Sequence, residues 1–265
     1  MIFSLWLAAV LSANAAAKPV KVFILAGQSN MQGQGLVTAK DKDGSEKPGT
    51  LVAMLKNPAK APLLKDWVNA KGEWAEKRDD VWVYDISEFG SRHGVLEFGY
   101  GWDFGSRSWF GPEMQFGHLL GDRFDNQVLI IKTAWGGRDL YKDFRPPSSG
   151  GTVGPFYTQM LATVSMVLGD LKKQFPGHDG GGYELAGFVW WHGWNDFCSP
   201  KVGAPGYETN LVNLIHDVRN FEAETKRMPN FTLHELAHGY HDRVLARGFD
   251  HAEIKAAYER AKASQ

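Results

Sequence analysis

A single cysteine, Cys198, stands in a chain of 265 residues, so no intrachain disulfide can form in any compartment. Charge of one sign is also missing. The 29 Lys and Arg against 30 Asp and Glu leave a formal net charge of −1, with no Lys/Arg run. The chain therefore has no global field to gather nucleic acid or an anionic membrane surface. The apolar stretch at residues 2–11 is too short to span a bilayer comfortably, and no Lys or Arg precedes it. A disulfide scaffold and a polybasic nucleic-acid binder are thereby excluded.

That first stretch reads as a secretory signal covering residues 1–17. Ala15-Ala16-Ala17 offers a small-residue cleavage site before Lys18, although the α-amine is the only positive charge ahead of the apolar run. The competing reading is a native N-terminal helix or an uncleaved anchor. Cleavage implies a secreted or periplasmic product with no membrane attachment. The rest suits a globular protein: 43% hydrophobic and 22% charged residues can build a core. The 30 glycines and 10 tryptophans fit tight turns beside aromatic walls, in an enzyme cleft or in a loop-rich core.

The order of elements predicts an α/β fold. VKVFILA (20–26) is a continuous apolar run of the length of a buried parallel strand, ending in Gly27. Residues 38–80 are polar and irregular, an insertion. VWVYDI (81–86) alternates as a half-exposed strand, and 90–111 reads as a Gly/Ser/aromatic loop forming a cleft wall. Pro112 opens a helix to about Phe124, with Glu113 favourable at its positive end. VLIIKT (128–133) is a buried strand, 155–175 a long helix, LAGFVWW (185–191) a further strand, and 207–224 a helix. This rhythm implies a central parallel sheet covered on both faces, a three-layer α/β/α sandwich. Ligands bind beyond the carboxyl ends of such strands. Three strands end there in Gly27-Gln28-Ser29-Asn30, Trp135-Gly136-Gly137 and Gly193-Trp194-Asn195-Asp196.

A hydroxyl nucleophile needs a sharp strand-to-helix turn, a base, and donors for the oxyanion. Ser29 occupies such a turn, and its own N–H, a Gly137 (or Gly136) N–H and the Asn195 amide are candidate donors. Taken singly, each feature is ordinary: a turn serine, a glycine loop, a helix cap. Together, Gly-Gln-Ser-Asn-Met, the Gly-Gly turn after Ile-Ile-Lys-Thr-Ala-Trp, and Trp-Trp-His-Gly-Trp-Asn-Asp resemble the SGNH hydrolases, in the sialate O-acetylesterase and carbohydrate esterase family 6 branch. The similarity covers about residues 20–219. It implies an SGNH/flavodoxin-like fold and removal of acetyl groups from sugars such as sialate or xylan esters. By that resemblance Ser29 is the nucleophile, and Gly137 and Asn195 hold the oxyanion. Gln28, Asn30, His192, Trp135 and Trp194 are expected to contact substrate, with His192-Gly193-Trp194 standing where the branch carries Gln-Gly-Glu. An aromatic cleft of Trp102, Trp109, Trp135 and Trp194 would face the sugar.

The family's last block, Asp-x-x-His, supplies the base and its orienting carboxylate, and no Asp in this chain is followed three residues later by His. Instead His234-Glu235-Leu236-Ala237-His238 presents H-E-x-x-H, resembling a zincin metallopeptidase helix. On a helix, His234 and His238 would share a face and bind zinc, with Glu235 as general base. His241, Asp242, His251 and Glu253 are candidates for the third ligand, none at a familiar spacing. A rewired esterase could instead draw its base from His234, His238 or His241.

The expectation is thus a signal at 1–17, an esterase domain at 18–225, and a helical segment at 226–265. The primary reading is a serine carbohydrate esterase, impaired if its base is absent, that needs no cofactor. The alternatives are a zinc peptidase and a glycan-binding relic. The partner is a carbohydrate ester, not nucleic acid, and the oligomeric state is left open.

Overall fold

A computed structural model describes residues 18–102 and 108–224 and the short strand at 234–235. In chain order the elements are β1 (Val20–Gly27), α1 (Ser29–Gln32), β2 (Gly35–Leu36), α2 (Leu51–Leu55), β3 (Arg78–Ser87), β4 (Gly90–Leu96), β5 (Trp109–Phe110) and α3 (Glu113–Arg123). There follow β6 (Val128–Ala134), α4 (Pro155–Gly169), α5 (Leu171–Gln174), β7 (Tyr183–Trp191), α6 (Trp194–Phe197), α7 (Gly203–Glu224) and β8 (His234–Glu235).

The main sheet has the order β4-β3-β6-β1-β7-β8. All its pairings are parallel except β3 with β4. The apolar run of β1 sits near the middle because both its faces must be covered. Val20, Val22, Ile24 and Ala26 enter one core with Tyr157, Met160 and Val164 of α4 and Leu214 and Val218 of α7. Phe23 and Leu25 enter the other, with Met114 and Leu120 of α3 and Leu51, Leu64 and Trp67 of the insertion. This is the expected three-layer sandwich. Each fully buried aliphatic side chain in it contributes about 1.5–3 kcal/mol.

Four sequence expectations are modified. The parallel strands do not follow the flavodoxin order, in which the first two strands are neighbours. Here β6 lies between β1 and β3. The stretch expected to be loop from residue 90 begins as β4, an antiparallel hairpin partner of β3. The helix expected over 155–175 breaks at Asp170, whose backbone leaves the helical conformation and whose side chain caps α5 by accepting from Lys173 N. His234–Glu235 pair in parallel with Val189 and Trp190 of β7, so the motif expected to open a helix begins as a strand. The remainder of the 226–265 segment, with His238, lies outside the described residues.

No helix among the described residues is long and apolar enough to cross a membrane. The proposed signal at 1–17 lies outside the described residues.

Candidate active site

The connections leaving β1 and β6 run to opposite sides of the sheet, the arrangement that opens a crevice at the carboxyl ends of the strands. The turns after β1, β6 and β7 meet there. Backbone bonds tie them first: Trp135 N donates to Gly27 O at 3.1 Å, and Gln28 N donates to Trp191 O at 3.3 Å. A side chain at Gly27 is impossible at this approach, since its Cβ would lie 2.2 Å from Trp191 O.

Gln28 binds the turns a second time. Its side-chain oxygen accepts from Gly193 N at 3.1 Å and from Asn195 N at 3.3 Å, and the residue is buried. The expected substrate contact at Gln28 is thereby corrected: its amide lies beneath the turns, because two backbone N–H groups taken out of water need an acceptor.

Ser29 begins α1 and is half-buried, and Asn30 beside it is exposed. Both open onto a cavity of about 360 Å³ whose walls include Trp67, Phe110, Gln115 and Trp191. Trp67 comes from the insertion, where no sequence signal marked it. Phe110 lies in the stretch read as a cleft wall. Gln115 is steadied by donating to Asp66 at 3.0 Å. No hydrogen bond to the Ser29 hydroxyl is seen among the described residues.

Gly137 lies in an exposed turn with φ +72°, a conformation that glycine adopts without strain, so the turn can present backbone N–H groups to a ligand. Asn195 donates from Nδ2 to Arg138 O at 2.7 Å. A primary amide carries two N–H donors, so the second remains to be offered. Trp194, at the start of α6, is 65% exposed.

Two other expected substrate contacts, Trp135 and His192, fail on burial. Trp135 is 2% exposed and packs on Phe144 and Phe156, so its indole belongs to the core and not to a sugar cleft. Trp102 and Trp109 are half-buried, and Trp102 packs edge-on against Phe89. The His192 side chain is fully buried, stacked on Trp190, with Nε2 paired to Arg138 O at 3.0 Å. Burial lowers its pKa to about 3, so it is neutral at ordinary pH. Its 3.6 Å approach to Asp196 is therefore not an ion pair. Asp196, also buried, accepts from Leu140 N and Tyr141 N and locks the 139–141 loop to α6; burial raises its pKa to about 6. His192 thus serves the scaffold as a neutral ring.

Among the described residues no group of three His, Cys, Asp or Glu is arranged to hold a metal ion.

A family model for carbohydrate esterases of the sialic acid-specific acetylesterase type matches residues 19–258. The chain belongs to this family. Its members are, by that description, carboxylic ester hydrolases acting on carbohydrates. Among solved structures, this esterase-family chain is similar to a protein from Arabidopsis thaliana at 18% identity, covering 82% of this chain and 73% of that one, with a TM-score of 0.47. It is similar to a carbohydrate acetylesterase from Xanthomonas citri at 14% identity, with 80% and 40% covered and a TM-score of 0.39. NanS gives 12% identity, 79% and 64% covered, and a TM-score of 0.46. The chain thus spans less than two thirds of the length of the last two. No protein of curated function matches it.

Proposed function

We propose that this chain is a serine carbohydrate O-acetylesterase with Ser29 as its nucleophile. One observation carries the reading: a half-buried serine at the head of α1, in a turn that Gln28 ties to the turn after β7, opens onto a cavity walled by Trp67, Phe110 and Trp191. Ser29 Oγ attacks the acetyl carbonyl as its proton passes to a base. The oxyanion is stabilised by the N–H of Ser29, a backbone N–H at Gly137, and the free Asn195 amide hydrogen. Donors fixed before the reaction lose little to reorganisation when charge develops. The sugar hydroxyl then departs with the proton, and water releases acetate from the acyl-serine. Trp194, exposed beside Asn195, offers a face on which a sugar ring stacks, and Asn30 a polar contact at the cavity rim.

The base is drawn from the chain that follows α7. His234, His238 and His241 are the candidates, and β8, parallel to β7, ends at the same sheet edge as the Ser29 turn. The substrate is an acetylated carbohydrate of sialate or xylan type, no cofactor takes part, and the protein is exported with residues 1–17 removed.

The test is hydrolysis of acetylated xylan and of O-acetylated sialic acid by the purified chain, together with fluorophosphonate labelling mapped by mass spectrometry. Acetate release with label on Ser29 supports the reading. Sugar binding with neither label nor acetate release would leave a glycan-binding protein.

A further inference from the structure

We infer that Lys132 and Glu113 form a buried positioning pair that holds the nucleophile's helix against the cavity wall. The inference rests on the reading of Ser29 as nucleophile, and neither residue is assigned to the chemistry itself.

Lys132 lies in β6, a strand buried along its whole length, and both side chains of the pair are fully buried. Its ammonium has three N–H donors, and three acceptors meet it: Glu113 Oε2 at 2.7 Å, Gln32 O at 2.7 Å and Tyr100 O at 2.5 Å. Gln32 is the last residue of α1. A helix of four residues cannot hold itself, and its terminal carbonyls lack partners within the helix. A fixed cation at that end supplies both a hydrogen bond and the sign of charge the helix end favours.

Glu113 completes the arrangement from the other side. It is the first residue of α3, where an anion is favoured, and its Oε1 accepts from Gly111 N at 2.7 Å. Gly111 lines the cavity, as does Gly33 just after α1. The two pack backbone to backbone, a Cβ on Gly33 falling 2.1 Å from Gly111 Cα. A Cβ on Gly111 would meet Glu113 Oε2 at 2.4 Å, Gln32 O at 2.9 Å and Lys132 Nζ at 3.0 Å. The pair therefore fastens three separate segments, the end of α1, the chain at Tyr100 and the wall at Gly111, to one point at the last residue of α1.

Desolvation largely offsets the attraction in such a pair, and packed hydrocarbon of equal volume often stabilises a fold as well. Hydrocarbon cannot fix two carbonyls and a carboxylate at set distances. The gain is therefore in position, and a displacement of about 1 Å at a nucleophile can cost about 100-fold in rate.

The experiment uses the full chain carrying Lys132→Met with Glu113→Gln, which removes both charges at little change of shape. Amide hydrogen exchange is read on peptides spanning residues 28–36 and, for comparison, 183–191. The expected result is exchange faster by roughly 10-fold or more in 28–36 and unchanged in 183–191. Alongside it, kcat should fall by about 10-fold or more with KM within about 2-fold. Wild-type exchange at 28–36 in the folded double variant overturns the inference, as does a lowered Tm with kcat unchanged. Should the double variant not fold, Glu113→Gln alone, which keeps the ammonium, is read by the same two criteria. Lys21→Met, breaking the Lys21–Glu184 pair at the other end of the sheet, should leave α1 exchange at the wild-type rate. If the wild type neither takes the fluorophosphonate label nor releases acetate, the nucleophile reading fails, and the exchange data still decide whether the pair holds α1.

Discussion

Gln28 and Gly193, far apart in sequence, are joined by a 3.1 Å hydrogen bond from the glycine N–H to the buried side-chain oxygen. The same oxygen takes the N–H of Asn195, so one acceptor aligns the nucleophile's turn with the turn that carries a candidate oxyanion donor. In Gln28→Ala both N–H groups lose their acceptor. Each buried group left unsatisfied costs about 1–3 kcal/mol. With two such groups, urea unfolding should show a loss of about 2–6 kcal/mol, and kcat should fall with it. Unchanged stability would show that water replaces the amide and that the turns align without it.

Ser29→Ala is expected to lower acetyl-ester hydrolysis by roughly 10⁴-fold or more while leaving the unfolding midpoint near that of the wild type. EDTA should not slow the wild type. Loss of activity on chelation, with Ser29→Ala still active, would return the chemistry to a metal.

Asn195→Ala should cost about 100-fold in kcat, as removal of one oxyanion donor does elsewhere. The 2.7 Å bond to Arg138 O is lost as well, so the variant is compared by Tm. An equal loss in kcat with KM unchanged identifies a transition-state contact. A fall in Tm alone would leave Asn195 as a loop fastener.

Asp85 provides a pH test. It sits on β3 in register with Lys132 and with Arg92, fully buried, and burial raises its pKa to about 7. Neither of its carboxylate oxygens has a hydrogen-bond partner among the described residues. A carboxyl raised in the folded state holds a proton that the unfolded chain has lost, so its effect is mildest at low pH. Stability is then lost as pH rises from about 4 to about 7. Asp85→Asn should match the wild type near pH 4 and exceed it by more than about 1 kcal/mol at pH 8 in urea denaturation. A constant difference across that range would contradict the raised pKa.

The export proposal is checked by N-terminal sequencing of the protein recovered from a periplasmic or culture fraction. A mature start at Lys18 is expected, and an intact Met1 in that fraction contradicts cleavage.

Local pattern determined a good deal here. An apolar run of strand length must be covered on both faces, so residues 20–26 and 128–133 could be placed centrally from sequence, and the Gly-rich turns ending them marked the edge where Ser29, Gly137 and Asn195 lie. What each turn side chain does was decided only by tertiary structure. Gln28, Trp135 and His192 stand beside the candidate site residues in sequence, but packing turns them beneath the turns, where they accept N–H groups, fill core or stack as a neutral ring. Lys132 shows the same limit from the other side. In sequence it is a lysine at the end of an apolar strand, and only the arrival of Glu113, Gln32 O and Tyr100 O from three distant segments makes its burial tolerable. Periodicity is a property of neighbours in sequence. Burial and partnership belong to neighbours in space, and they settled which residues surround Ser29 and which hold it in place.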